Sequence, residues 1–430
     1  DKLVADEIGH PTLNRATQAQ LQPGSTIKPV VGLSAITQGI KVGDNPLTPD
    51  TGIECTGFLV INGKKFGRGR CWVESKYGRL LKEKGMSSAH HQVPSGAEHP
   101  TGFLTFGDAL ERSCNVYFET LADYMGMDGL STWYERFGLG RPTGLGIPEA
   151  RGRLPRSYVG PALDRRYKTW FSGIGQDPVS ATPIQMANVA ATMARGGRWY
   201  RPRLVSADVA AQAGVKLPAL TPAARDVDPD DADPGQAPAA PPEDWPEAYD
   251  LQLNPAAVAA MRDGMQRVVY GRAGTGKPVA RKAPALDGIR ICGKTGTAQV
   301  GRFALPKRDP ATGQQLRDEV TGKLRWDFPD PNSQFYTNPD KRFAWYRAYG
   351  DDGKDLNHAW YIGFAPAENP KVAFAVMVEY GGSGGMAAGA VARQTLTACV
   401  ETGYLEPGAA PAGPKAGARP AELLHDVAAR

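Results

Sequence analysis

No stretch of the 430 residues approaches the roughly eighteen consecutive apolar residues that a membrane span requires. The chain opens Asp1-Lys2-Leu3, with neither an initiator Met nor a signal-like apolar segment. It is therefore expected to be soluble as it stands and to be a piece of a longer gene product. Charge of one sign is scarce as well: fifty Lys and Arg against forty-five Asp and Glu leave +5. That surplus is too thin for the concentrated basic face of a nucleic-acid binder, so no nucleic-acid partner is expected. Cysteine is sparse and odd in number (Cys55, Cys71, Cys114, Cys292, Cys399), which excludes a fully paired disulfide framework in a monomer. A chain of this length can bury a core without such staples.

Glycine and proline, by contrast, are plentiful at 51 and 36 residues, and they announce long loops. Residues 206–250 are dense in Pro, Ala and Asp and read as an exposed, largely disordered insertion. Residues 405–430 share that bias and read as a tail, leaving 1–404 as the folded domain. The stretch 302–357 reads as a long loop between strands, rich enough in aromatics to pack on something. The remainder is mixed. Helical spacing marks 30–36, which is apolar nearly all round, and then 108–124, 130–137, 183–195 and 255–269. Residues 360–365 and 371–379 read as a hairpin across Pro366–Pro370, with a final helix at 389–399. Helices early and antiparallel strands late predict an α+β fold.

Three short motifs carry chemistry. In Pro23-Gly24-Ser25-Thr26-Ile27-Lys28-Pro29 the buried helix follows at once, so Ser25 lies near a helix N-terminus with Lys28 one turn on, on the same face. A serine hydroxyl needs a base, and a lysine can serve as one only if desolvation or nearby positive charge lowers its pKa. Ser-x-x-Lys alone is weak, since ordinary composition yields about one in a chain this long. Lys294-Thr295-Gly296-Thr297 ends a predicted strand, with both threonines on one face and Gly296 allowing a substrate backbone to approach. Such an edge can pair with an extended peptide while Lys294 and the threonines meet a carboxylate. Ser113-Cys114-Asn115 can aim a hydroxyl and an amide into one cleft.

Together and in this order, the motifs resemble the penicillin-recognising serine acyltransferases, with Ser-x-x-Lys, Ser-x-Asn and Lys-Thr-Gly. The segments 137–140, 143–149, 173–176, 181–186 and 362–366 look like class B penicillin-binding proteins, and Gly173-Ile174-Gly175-Gln176 is similar to the elongation type, penicillin-binding protein 2. The resemblance implies an antiparallel five-stranded sheet flanked by helices, with an all-helical subdomain. It implies that Ser25 is acylated by a peptidoglycan stem peptide, with Lys28 as base and with Ser113 and Lys294 passing a proton to the leaving amine. Asn115 would hold the substrate amide, Thr295, Gly296 and Thr297 would bind its terminal carboxylate end, and the backbone N–H groups of Ser25 and Thr297 would form the oxyanion hole. The implied activity is D,D-transpeptidation, cross-linking stem peptides with no catalytic cofactor and trapped by β-lactam antibiotics. The implied partners are a membrane-embedded glycan polymerase and a scaffold of the elongation machinery, and the implied place is the periplasmic face of the cytoplasmic membrane. A division-type class B protein, a serine β-lactamase and a non-catalytic β-lactam sensor are the alternatives.

Cys55, Cys71 and Cys114, with His90, His91 and His99 between the last two, lie within sixty or so residues around a segment that must fold back for Ser113 to reach Ser25. Cys55, Cys71, His99 and Cys114 could hold a structural zinc ion, His99 being nearest the predicted 108 helix; related proteins often carry a His in that segment. A Cys55–Cys71 disulfide and inert buried thiols compete with this reading. Gly271–Pro278 imitates a phosphate-binding loop, but Pro278 stands where a metal-binding hydroxyl is required.

Overall fold

In the computed structural model, residues 12–75, 83, 102–215, 247–299, 305–307, 309–319, 322, 325–327 and 357–406 are described. The chain enters the core through a 3-10 turn, Gly24–Ile27, that runs directly into α1 (Lys28–Thr37). Pro29 suits the first turn of α1, and every residue from Lys28 to Ile36 is buried. This matches the all-round apolar run of the sequence. Next comes a hairpin of β1 (Phe58–Ile61) and β2 (Lys64–Arg70).

Two helices were expected at 108–124 and 130–137; the chain instead folds α2 (Phe106–Arg112) and α3 (Asn115–Arg136). The break falls at Ser113, which takes the left-handed conformation at φ 54° and ends α2. A capping box between Thr105 and Asp108 starts α2. Within α3 the non-helical Gly126 makes a kink rather than the expected gap. Then follow α4 (Ala162–Gly173) and α5 (Pro183–Ala194), the latter opened by a Thr182–Gln185 capping box and Pro183.

The edges of the 206–250 segment are folded, contrary to its composition. A short helix spans Ala207–Gln212 with Ala210 buried, and β3 (Arg198–Tyr200) pairs antiparallel with β4 (Ala248–Asp250). Only Ala210 at the first edge and Ala248 with Tyr249 at the second are buried, too few to show in a composition averaged over 45 positions; residues 216–246 lie outside the described ones. Asn254 caps α6 (Pro255–Tyr270). The sheet that carries the third motif is then built from β5 (Cys292–Gln299), β6 (Asn357–Ala365) and β7 (Val372–Val378), followed by α7 (Gly389–Glu401). Its order is β7-β6-β5, all antiparallel. Five strands were expected; three are present among the described residues. Within 302–357, Leu305–Pro306 pairs with Trp326–Asp327, and the aromatics from Phe328 to Tyr349 lie outside the described residues. The folded domain extends one residue past the expected boundary, because Leu405 is buried.

Alternation along β6 explains the layering. Trp360, Ile362 and Phe364 enter one apolar cluster with α1, α2, α3 and α5, while Ala359, Tyr361 and Ala365 enter a second with α7. The sheet is thus covered by helices on both faces, and β5 lies at its edge among the described strands. α1 packs so closely on α2 that a Cβ on Gly32 would stand 2.0 Å from Phe106 Cε2. Gly32→Ala should therefore overpack this contact and destabilise the domain by about 1–3 kcal/mol in denaturant melts. Combined with Phe106→Leu, the loss should be smaller than the sum of the two single losses by at least about 0.5 kcal/mol.

Candidate active site

The three motifs meet at one place. Gly24 takes φ +54°, and a Cβ there would lie 2.7 Å from the Thr297 carbonyl oxygen, so the Ser25 turn abuts the edge strand β5 directly. On β5, a Cβ at Gly296 would lie 2.8 Å from the Pro23 carbonyl oxygen. Both glycines are therefore required by close backbone approach. Ser25 is half-buried, and the Lys28 N–H donates to the Ser25 carbonyl one turn on.

Ser113 is the hub. Lys28 Nζ donates to the Ser113 carbonyl at 2.8 Å and to Asn115 Oδ1 at 2.7 Å, and lies 3.3 Å from Ser113 Oγ. Lys294 Nζ reaches the same Oγ at 2.9 Å and the Thr295 carbonyl at 3.1 Å. Both lysines are fully buried. Burial lowers Lys28 to about 8, against the opposing pull of Cys114, Glu119 and Cys71. Burial first, and the Lys28 charge second, hold Lys294 well below the ordinary lysine range. Two ammonium groups around one hydroxyl in a dry site repel strongly, so at least one is neutral near neutral pH. A neutral Lys28 spends two N–H bonds on the Ser113 and Asn115 carbonyl oxygens and keeps a lone pair for a hydroxyl. That is what a base for a serine requires.

The carboxylate-binding expectation also acquires geometry. Thr297 is exposed at the strand edge, whereas Thr295 is buried with Oγ1 2.8 Å from Thr275 Oγ1. Gln176 braces the same edge, donating to the Thr297 carbonyl at 3.1 Å and accepting from the Gln299 N–H at 3.1 Å. Sequence reasoning used Gln176 only as a resemblance and passed over Thr275, which lies in the loop that imitates a phosphate site. That loop is a tight turn: Gly276 N–H bonds the Val268 carbonyl at the end of α6.

Glu119 was also missed, because one Glu within a helical stretch carries no signal. It is 1% exposed, and its Oε2 meets no hydrogen-bond partner. Burial raises it to about 8, with Lys28 opposing and Cys114 adding.

The sulfurs of Cys55, Cys71 and Cys114 lie within 4.8 Å of one another, all three residues are buried, and none is in a disulfide. Hydrogen bonding to Cys114, then to Cys71, and then burial push the Cys55 thiol far up. His99, the expected fourth member, lies outside the described residues, as do His90 and His91. Cys114 is the N-cap of α3, so the cluster joins the base of the β1–β2 hairpin to the hub.

Because Glu119 is raised, the folded state holds a proton that the unfolded state releases above about 4.3. Its contribution is full at low pH and is lost as pH rises through about 8. Glu119→Gln should consequently raise Tm relative to the parent chain, by more at pH 8 than at pH 5.5, in paired calorimetric scans.

Comparisons with known proteins agree with this geometry. Residues 80–307 and 345–397 match the penicillin binding protein transpeptidase domain. The match begins after the Ser25 turn, which the packing against β5 ties to the matched part. The chain is 27% identical over 405 residues to peptidoglycan D,D-transpeptidase MrdA of Haemophilus influenzae, covering 92% of this chain and 46% of that protein. It is similar to the crystal structure of Pseudomonas aeruginosa PBP2 in complex with WCK 5153 (TM-score 0.57, 27% identity, 96% of this chain and 65% of that one). A PBP2 from Helicobacter pylori solved with MreC shares the fold (TM-score 0.56, 22% identity, 94% and 54%). The chain thus spans about half the length of the MrdA protein it matches. With Ser25, Lys28, Ser113, Asn115 and Lys294 gathered in one cleft and more than half of its length matched, the chain belongs to the penicillin-binding protein transpeptidase family.

Proposed function

We propose that this domain is a peptidoglycan D,D-transpeptidase acting through a Ser25 acyl-enzyme. The observation that carries the reading is the shared hydroxyl of Ser113, bonded by two buried lysines, one of them a single turn after Ser25. Ser25 Oγ attacks the penultimate D-Ala carbonyl and Lys28 takes its proton. The peptide C–N bond then breaks, and the Ser113 hydroxyl, backed by Lys294, passes a proton to the leaving D-Ala amine. The amine of a second stem peptide attacks the ester, restores the Ser25 hydroxyl and completes the cross-link. Thr295 and Thr297 receive the donor's terminal carboxylate, and the N–H groups of Ser25 and Thr297 stabilise the oxyanion. A serine β-lactamase would need a carboxylate to activate a deacylating water, as in a Glu-x-x-Leu-Asn segment; in Asp250-Leu251-Gln252-Leu253-Asn254, the nearest stretch to that pattern, the polar side chains are spent on structure, Asp250 accepting from the Gln252 N–H and Asn254 from the Ala257 N–H.

The elongation subtype rests on the MrdA relatives and on residues 173–176. We extend it to a location on the periplasmic face of the membrane, and to a scaffold partner of the kind solved with the Helicobacter pylori neighbour, together with a glycan polymerase.

Penicillin should add covalently at Ser25, as read by peptide mapping, with no adduct in Ser25→Ala. Lys28→Ala should acylate about 10²–10⁴-fold more slowly. Since only the neutral amine accepts the proton, the acylation rate should rise with pH and level off above about 8. An adduct on another residue, or a flat profile from pH 6 to 9, would sink the mechanism.

The cysteines are proposed to bind one structural zinc ion. Support comes from three buried sulfurs gathered within 4.8 Å of one another. Cys55, Cys71 and Cys114 would supply thiolates and His99 the fourth ligand, closing the site against water. Bound there, zinc would pin Cys114 between the two cleft residues on either side. Protein purified without chelator should contain about one zinc per chain by elemental analysis. Chelation should lower Tm and slow penicillin acylation together; recovery of a linked Cys55–Cys71 peptide with no zinc would favour the disulfide.

A further inference from the structure

The loop after α6, residues 271–276, is fastened more firmly than a connection to the sheet requires. The Ala273 N–H donates to Glu111 Oε1 at 2.9 Å, the Gly274 N–H to the Gly271 carbonyl at 3.1 Å and the Gly276 N–H to the Val268 carbonyl at 2.9 Å. The Tyr361 hydroxyl donates to the Gly276 carbonyl at 3.2 Å, and Tyr361 is the β6 residue paired in register with Thr295. A Cβ on Gly274 would stand 2.4 Å from the Val268 carbonyl oxygen, and one on Gly385 2.4 Å from that of Thr275. The loop is thus gripped between α6 and the segment that leads into α7, and Glu111 ties it to α2, the helix that ends at Ser113.

That rigidity serves one side chain. Thr275 Oγ1 lies 2.8 Å from Thr295 Oγ1, and neither hydroxyl makes another hydrogen bond among the described residues. Two hydroxyls at this distance own two hydrogens, of which one lies in the bond between them. If Thr295 gives its hydrogen to Thr275, it has none left for an anion. If Thr275 gives, the Thr295 hydrogen is free, and a hydroxyl that accepts a hydrogen bond becomes a stronger donor. A carboxylate only accepts, so the second arrangement alone suits Thr295. We propose that Thr275 is a positioning residue: it donates to Thr295 and so commits the Thr295 hydroxyl to donate to the ligand, selecting an ionised carboxylate over a neutral ester. The identity of the ligand rests on the transpeptidase reading; the direction of the bond rests on the loop.

The test uses benzylpenicillin and its methyl ester, which differ only at the carboxylate, titrated against the Ser25→Ala chain by ligand-observed NMR so that no covalent step enters. The acid should bind at least about tenfold more tightly than the ester, as expected for hydrogen bonds to a charged group. Adding Thr275→Val should cut that preference about three- to tenfold through the acid alone, with the ester's Kd within about twofold, and Thr275→Ser should restore it. In a Thr295→Val background the same Thr275→Val change should move the acid by less than about twofold, because its effect passes through Thr295. Should Thr275→Val fail to fold, Thr275→Ala takes its place in each comparison. An acid-to-ester ratio near one before Thr275 is changed, a ratio that Thr275→Val leaves intact, an equal loss for acid and ester, or no recovery with Ser overturns the proposal. So does an undiminished loss in the Thr295→Val background, which would make Thr275 touch the carboxylate itself. Failure of penicillin to label Ser25 in the parent chain defeats the transpeptidase reading alone, since the ratio is read by binding.

Discussion

Two lysine amines withdrawn from water converge on one serine hydroxyl, and the rest of the domain is arranged to keep them there. Each amine would be better solvated outside, so the site persists only because more apolar surface is buried around it than the lysines lose in hydration. Lys28 rides on a helix buried over nine consecutive residues, and Lys294 on a strand covered on both faces. Neither can leave without unpacking a core. The price of that burial is the chemistry: the same desolvation that opposes a charged Lys28 makes its lone pair available near neutral pH.

Convergence requires a break in the helical layer. A continuous helix through 106–136 would turn Ser113 and Asn115 about 200° apart on its surface. Placing Ser113 in the left-handed region ends α2, and Cys114 in extended conformation starts α3, so that the Ser113 carbonyl and the Asn115 amide both face Lys28. The bend is held by its surroundings, with the Trp72 indole donating to the Arg112 carbonyl at 2.9 Å and the Cys55–Cys71–Cys114 sulfurs gathered beneath it.

The motifs were legible because each needs an unusual residue combination at short range: a serine and lysine before a buried helix, or a Lys-Thr-Gly-Thr strand edge. The β6–β7 hairpin was legible from its turn, and α1 from its uniform apolarity. The break at Ser113 was not, since its neighbours have helical spacing on both sides and left-handed serine leaves no trace in composition. Thr275 and Glu119 stayed hidden for a related reason. Their roles come from partners 20 and 91 positions away, and ordinary Thr and Glu say nothing of long-range contacts. The cysteines announced themselves as a group, yet only folding shows that three of the five share one interior point.

The two walls of the cleft are built on different principles, and this bears on where the site is vulnerable. The β5 wall is backbone: its register with β6 pairs Thr295 with Tyr361 and Thr297 with Ala359, so side-chain substitutions leave its position largely intact. The Asn115 wall is held by contacts between distant segments, through the Arg70 carbonyl, the Trp72 indole and the sulfur cluster. A hairpin that is two-stranded among the described residues is marginal by itself, so its anchorage must come from those contacts. Whatever strengthens or releases the sulfur cluster therefore acts first on the position of Asn115, then on the lysine that Asn115 orients, and leaves the opposite wall in register.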